Sequence, residues 1–371
     1  LNAAMLWLAL PAAMIWFGVL LAPWRPWSTR ERIEPMMDGA DADCSEVTVL
    51  IPARNEAEVI AQTLTSLQQQ GRGLRVIVVD DQSEDDTAVI ARRFANVEVL
   101  RGAPLPSGWA GKLWALEQGR SRVQSKLTLL LDADIALEPG LLPALLEQRK
   151  ATGAHFISLM ADLRRTSFWD RLLLPAFVYF FKLLYPFHLS NSRFKYVAAA
   201  AGGCVLVETQ ALQTIGAFAS LRGALIDDCT LARQIKRAGF RTWTGISRGV
   251  VSLRPYGTLQ SIHQMVARSA YTQLGYSLTL LLLVTTIFAA AYWLPLFALT
   301  LPAVTPLAAA ALIAMMLGYW PTLRYYKLSP AWALLLPLTG TLYLAMTWSS
   351  AISYWRGVRS RWKNRTYDAQ V

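Results

Sequence analysis

A chain of 371 residues that is 54% hydrophobic and only 16% charged, with a mean hydropathy of +0.31, is too apolar for an ordinary soluble protein. The three cysteines, Cys44, Cys204 and Cys229, lack the CxxC spacing of zinc sites and disulfide frameworks. The net charge of +11 fits an anionic partner, and its placement separates nucleic acid from membrane.

No Asp, Glu, Lys or Arg occurs within 1–24, 269–323 or 328–355. A spanning helix needs about 20 apolar residues. The first run therefore holds one helix, the second two, turning near "LPAVTP" (301–306), and the third one. The first run reads as an anchor over 1–24, because "APWRPW" (22–27) has no small-residue cleavage site. A polar linker follows over 25–43, then an α/β domain over 44–270, three spans over 271–355 and a basic tail over 356–371. Arg25, Arg30 and Arg32, and the tail residues from Arg356 to Arg365, flank apolar spans as cytosolic anchors on anionic lipid do, and not as a nucleic-acid patch. With the domain inside, a basic tail outside breaks the rule unless the last segment re-enters at Pro337 and Gly340.

Within the domain, "VTVLIPARNE" (47–56) predicts a buried strand followed by a helix over 57–70. "LRVIVVDDQS" (74–83) predicts a second strand ending in Asp80 and Asp81, and Ser83 with Asp86 has capping-box spacing for the next helix. "VEVL" (97–100) and "LTLLLDAD" (127–134) complete a strand–helix alternation that predicts a mostly parallel sheet with helices on both faces. Ligands of such sheets sit beyond the carboxyl ends of the strands. Glu56, Asp80, Asp81, Asp132 and Asp134 all lie at those ends. Asp80 and Asp81 alone read as turn or cap residues, whereas Asp132 and Asp134 follow an apolar strand with no helix behind them. A rim of like charges needs a counter-ion, and a hard divalent cation with oxygen ligands would supply it while carrying a phosphate.

The usual phosphate loops fail. "SGWAGKLW" (107–114) has Leu113 where a P-loop needs Ser or Thr, "GRG" (71–73) is not a dinucleotide fingerprint, and the three histidines form no HExxH. "LIDDCTLARQIKRAGF" (225–240) predicts a helix that Asp228 caps. "SFWDRLLLPAFVYFFKLLYPFHL" (167–189) reads as an interfacial segment or a pair of core helices, interrupted by Pro175 and Pro186.

In order and spacing, "PARNE", "VVDDQS", "LLDAD" and "LIDDC" resemble family 2 glycosyltransferases of the GT-A fold. "GWAGKLWAL" (108–116), "AAAAGGCVLV" (198–207), "SLRPY" (252–256) and "MVARSAYTQLGYS" (265–277) are similar to the hopene-associated members, so the resemblance covers nearly the whole chain. It implies a nucleotide-sugar donor, a lipid acceptor such as a hopanoid, Mg2+ or Mn2+, and a bacterial inner-membrane location with a cytosolic catalytic domain. By the same resemblance Pro52, Ala53, Arg54 and Glu56 line the base and ribose pocket beside Asp80 and Asp81. Asp132 faces the ribose or sugar, and Asp134 with Asp132 makes the all-oxygen metal site. Lys112 either neutralises the diphosphate or is a solvated helix-start lysine. Asp228 is the implied catalytic base, kept ionised by its helix start, with Asp227 in place of the family's more frequent Glu. Processive synthases of the family carry QxxRW; here Arg268 has Met265 three places before it and Ser269 after it. That departure favours a single transfer and leaves Arg268 a candidate contact for diphosphate or acceptor. A polyprenyl phosphate acceptor, needing no strong base, and a non-catalytic nucleotide-sugar binder are the alternatives.

Overall fold

A computed structural model of the chain describes residues 3–37, 41–222, 227–357, 361–362 and 365–366. The chain divides into an α/β unit, Glu31–Arg164 with Leu189–Pro255 and Arg361–Val371, and a helical unit, Leu1–Arg30 with Arg165–His188 and Tyr256–Ser360. The segments 165–188 and 256–270, placed in the α/β domain by sequence, are thus grouped with the apolar helices.

The α/β unit is built on strands β1 (Val47–Ala53), β2 (Arg75–Asp80), β3 (Val97–Arg101), β4 (Leu127–Leu131), β5 (Ile135–Leu137), β6 (Phe156–Asp162), β7 (Cys204–Glu208) and β8 (Thr242–Ser252). They form one sheet in the order β3-β2-β1-β4-β7-β6-β8-β5. The four strands expected from sequence pair in parallel at one end. β7 runs against both β4 and β6, and β5 runs against β8, so the sheet is mixed while most of its strands share one direction. Val47, Val49 and Ile51 of β1 face one side with Leu64 and Leu145 of the helices Ile60–Gln68 and Leu141–Thr152. Leu50, Ile77, Val79 and Leu130 face the other side with Leu113 and Leu116 of the helix Gly111–Arg120. Burial on both faces explains why these strands read as unbroken apolar runs. The helix Gly111–Arg120 lies close on the sheet: a Cβ at Gly119 would meet Leu50 Cδ1 at 2.4 Å and Val79 Cγ2 at 2.7 Å.

Two local expectations need correction. The capping box at Ser83 and Asp86 does not form, and the helix Thr87–Ala91 begins without a side-chain cap. Ser83 Oγ instead accepts from the Asn55 N–H at 3.0 Å, tying the β2 loop to the β1 loop. The last apolar segment is not broken at Pro337 or Gly340. The 3-10 segment Pro330–Leu335 leads directly into the α-helix Leu336–Trp355, with Pro337 in the first turn of that helix, where its missing N–H costs no hydrogen bond. Gly340 packs against the Tyr292 ring, its added Cβ falling 2.7 Å from Cε2.

Among the described residues of the helical unit three helices are long and apolar enough to cross a membrane, Leu278–Ala298, Thr305–Tyr325 and Pro330–Trp355, and a shorter apolar helix covers Met5–Leu21. Ala9, Ala12 and Ala13 of the first helix meet Ala308 and Ala311 of Thr305–Tyr325, small residues that let the helices approach. The π-helical turn Ala289–Trp293 displaces the regular ladder, and Trp16 Nε1 donates to the Ala291 carbonyl there at 2.9 Å. The 167–189 segment holds the helix Phe168–Leu184, which continues through Pro175, and, after the interruption at Pro186, the start of a second helix, Phe187–Asn191. Two of its charges are used inside the unit. Asp170 accepts from the Ser167 and Gly257 N–H groups, each at 3.0 Å, and Lys182 donates to the Ser28 carbonyl at 3.0 Å and Thr322 Oγ1 at 3.2 Å. Burial works against an ionised Asp170, but the hydrogen bonds from Ser167, Gly257 and Thr166 outweigh it and hold the carboxyl below the ordinary range.

Candidate active site

At the end of β4 the chain leaves the sheet in a tight turn that carries the two acids. Leu131 and Ala133 are buried in the core, Ala133 being only 3% exposed, and Thr63 Oγ1 donates to the Ala133 carbonyl at 2.8 Å. Asp132 and Asp134, on either side of Ala133, are each partly exposed. The turn is closed by the Ile135 N–H on the Asp132 carbonyl at 3.1 Å, and Asp132 N–H donates to the Gly203 carbonyl at 3.1 Å.

Each acid meets a cation. Lys112 Nζ is 2.6 Å from Asp132 Oδ1. Arg254, two residues past β8, places Nε 2.8 Å from Asp134 Oδ2 and Nη2 3.5 Å from Glu56 Oε1. Lys112 is therefore not a solvated helix-start lysine; it points into the site. The counter-ions that the acidic rim requires are supplied by the chain, so the sequence argument that charge balance demands a metal does not stand. Arg254 was missed as a site residue although "SLRPY" contains it, because nothing local links a basic residue after β8 to an acid after β4. The Leu253 N–H bond to the Asp134 carbonyl, 2.8 Å, makes that link.

The floor between Lys112 and the predicted base is Gly202. A Cβ there would lie 3.2 Å from Lys112 Nζ and 3.3 Å from Asp228 Oδ2, so both groups reach the same point. Pro52, Lys112, Asp132, Gly202 and Asp228 line one cavity over Leu130, Val205 and Phe218. Asp228 lies inside the helix Asp227–Arg237, not before it, and its Oδ1 accepts from the Cys229 N–H at 2.9 Å. The Asp227 side chain and residues 223–226 lie outside the described residues. The end of this helix is tied down by Lys236, whose buried ammonium donates to the carbonyls of Ser190 at 2.6 Å and Val197 at 2.7 Å; burial lowers its pKa to about 8. Cys204, at the start of β7, is a buried thiol pushed up to about 12 by burial and by Asp132.

The remaining predicted residues shape the rim. Arg54 is 8% exposed and spends its guanidinium on the carbonyls of Asp81 at 2.6 Å and Gln82 at 3.0 Å, with Glu84 at 3.6 Å. Ala53 is fully buried, its carbonyl accepting from the Asp81 N–H at 2.8 Å. Asp80 Oδ1 receives the Ser83 N–H at 3.3 Å, so this acid serves its own turn, and Asp81 is fully buried. Asn55 and Gln82 both adopt left-handed backbone, and Glu84 N–H donates to Asn55 Oδ1 at 2.9 Å, locking the β1 and β2 loops together. Asn55 carried no sequence signal beyond its place in "PARNE". Arg268 belongs to the helical unit, exposed at the end of the helix Leu259–Ala267.

Among the described residues no three His, Cys, Asp or Glu side chains gather as a metal-binding group. Asp132 and Asp134 nonetheless fit Mg2+ or Mn2+ in the mode in which one or two carboxylates hold the ion and substrate phosphates and waters complete its shell.

These features match a known family. The model described as glycosyltransferase like family 2 matches residues 45–272, more than half of the chain. The chain belongs to this family. A 4,4'-diaponeurosporenoate glycosyltransferase of Staphylococcus haemolyticus is 39% identical over 92 residues, 24% of each chain. One of Staphylococcus aureus is 34% identical over 108 residues, 29% of each. The matches thus span less than a third of these relatives' length. The fold is shared with a mannosyltransferase of Pyrobaculum calidifontis solved with GDP-Man and Mn2+, at 20% identity over 93% of this chain and 97% of that one, with a TM-score of 0.54. The fold of the α/β unit is accordingly GT-A-like.

If Arg54 clamps the two loops, Arg54→Lys should loosen them, since an ammonium cannot reproduce the fork. Losing charge-assisted hydrogen bonds of this kind costs roughly 1.5–3 kcal/mol. Hydrogen exchange at residues 80–86 should accelerate about 10-fold or more; unchanged exchange would assign Arg54 to the ligand alone.

Proposed function

We propose that this glycosyltransferase moves a single sugar from a nucleotide-sugar donor to a membrane lipid, with inversion at the sugar carbon. The observation that carries the reading is the meeting of Lys112, Asp132 and Asp228 around Gly202 at the carboxyl edge of the sheet. Asp228 takes the proton of an acceptor hydroxyl as the hydroxyl oxygen bonds to the anomeric carbon. The bond from that carbon to the diphosphate oxygen breaks on the opposite face, and its electron pair leaves with the nucleoside diphosphate. Lys112 stands where negative charge grows on that leaving group. Mg2+ or Mn2+, held by Asp132 and Asp134, would neutralise the diphosphate; the mannosyltransferase that shares the fold was solved with Mn2+. Arg268 outside a QxxRW motif supports one transfer per acceptor rather than polymer growth.

Three apolar helices in the same chain support an acceptor at a membrane, the bacterial inner membrane in our reading, with the catalytic unit on the cytosolic side, as Arg25, Arg30 and Arg32 beside the first helix favour. The hopene-associated motifs favour a hopanoid or a related membrane lipid. A second reading comes from the Staphylococcus relatives, whose name gives a carotenoid acid as acceptor. A carboxylate oxygen is already ionised at neutral pH and needs no base, as would hold for a polyprenyl phosphate.

Sugar transfer by the purified chain should vanish in EDTA and return with Mg2+ or Mn2+, and Asp134→Ala should abolish it while leaving the fold intact; full turnover in chelator rules out the metal. Asp228→Asn keeps the shape but removes the base. For a hydroxyl acceptor turnover should fall roughly 10²–10⁴-fold while donor binding survives. Near-normal turnover would transfer the reading to an acceptor with an anionic oxygen. For sidedness, cysteines introduced at the exposed positions Glu58 and Val89 should resist an impermeant maleimide in intact cells and react after lysis. The native thiols are buried and give little background. Labelling of intact cells would place the unit outside.

A further inference from the structure

Asp134 and Glu56 share one guanidinium, and its setting is asymmetric. The side chains of Glu56 and Asp134 are 12% and 17% exposed, whereas Arg254 is 44% exposed. The acids are largely shielded and the arginine lies against them on the more exposed side. Its approach through Nε to Asp134 Oδ2 at 2.8 Å occupies a position from which a cation would approach the same carboxylate. Lys112 holds Asp132 from a helix packed on the sheet, with its side chain only 23% exposed, and so has less freedom to leave.

We propose that Arg254 is a resident counter-ion of the Asp134–Glu56 pair, displaced by the divalent cation, and that the released guanidinium then binds the diphosphate of the incoming donor. The inference rests on the nucleotide-sugar reading given above and adds a residue and an order to it. Two positive charges cannot share Asp134 at close range without mutual repulsion, which weakens binding of the metal alone. A nucleoside diphosphate relieves that repulsion, because it brings negative oxygens that a guanidinium binds through parallel N–H donors. Metal and nucleoside diphosphate should therefore bind with positive coupling, and Arg254 should carry part of it. By linkage the effect appears equally in either affinity.

The test is a Mn2+ titration of the full chain in detergent, read by the electron paramagnetic resonance of free Mn2+, with and without UDP or GDP. Without nucleotide, Arg254→Gln should bind Mn2+ roughly 10-fold tighter than the unaltered chain, as expected when a like charge is removed from a partly exposed site. Arg254→Lys, which keeps the charge, should stay near the unaltered value. With Mn2+ saturating, Arg254→Gln should bind the better nucleoside diphosphate about 10-fold more weakly. Adding Asp134→Ala to Arg254→Gln should erase the gain in Mn2+ affinity. Equal or weaker Mn2+ binding by Arg254→Gln would make Arg254 a brace for Asp134 and overturn the proposal, as would a gain that survives Asp134→Ala. Neither result depends on turnover, so failure of the glycosyl-transfer reading would register separately, as absence of sugar transfer by the unaltered chain.

Discussion

Parallel strands deliver their carboxyl ends to one edge, and in this sheet those ends are acidic: Glu56 after β1, Asp80 and Asp81 at β2, Asp132 and Asp134 after β4. Two like charges about 4 Å apart repel by roughly 4 kcal/mol at the effective dielectric of a protein surface. Folded domains are stable by only about 5–15 kcal/mol, so such an edge cannot be left unbalanced. Local answers are found at each position. Asp80 turns into its own loop, Lys112 takes Asp132, and Arg254 takes Asp134 with Glu56. The helix Gly111–Arg120 must lie close to the sheet for Lys112 to arrive, which Gly119 permits, and β5 must pair with β8 for Arg254 to arrive.

That pattern also explains what the sequence could and could not tell. Strands β1 to β4 and their acidic ends were legible because apolar runs and the residues that end them are local signals. β5 has three residues and β7 inserts antiparallel between β4 and β6, pairings decided by contacts far apart in the chain. Arg254 lies 120 residues from Asp134, and no spacing rule connects them. The charge argument from sequence saw the acids and not their partners, so it assigned to a metal a debt that arginine and lysine discharge. The metal reading rests on the donor set. Lys112 was open to two readings because a helix start says nothing about direction, and its 2.6 Å contact with Asp132 excludes the solvated one.

The helical unit shows the same limit with opposite signs. Asp170, Arg171 and Lys182 give the 167–189 segment an amphipathic look, and Pro175 and Pro186 read as breaks. Asp170 is a capping residue and Lys182 a buried donor, so two of the three charges stabilise the interior of the unit. Pro175 lacks the N–H that would reach back four residues, yet the helix continues because packing against other helices outweighs one lost hydrogen bond. Tyr179 stacks near Tyr319 and Phe180 meets Tyr343 edge-on, contacts that hold this helix among the apolar ones.

Gly202 bears on the acceptor. Any side chain at this position would stand within 3.3 Å of both Lys112 Nζ and Asp228 Oδ2, filling the space between them. In the proposed reaction the leaving diphosphate lies toward the ammonium and the acceptor oxygen toward the carboxylate. A hydroxyl acceptor would use that carboxylate, giving up its proton as the bond forms. A carboxylate or phosphate oxygen would need no base and would be repelled by an ionised Asp228. The two acceptor classes therefore place opposite demands on Asp228, and an arrangement that keeps a carboxylate beside the reacting point is better matched to a neutral hydroxyl than to a second anion.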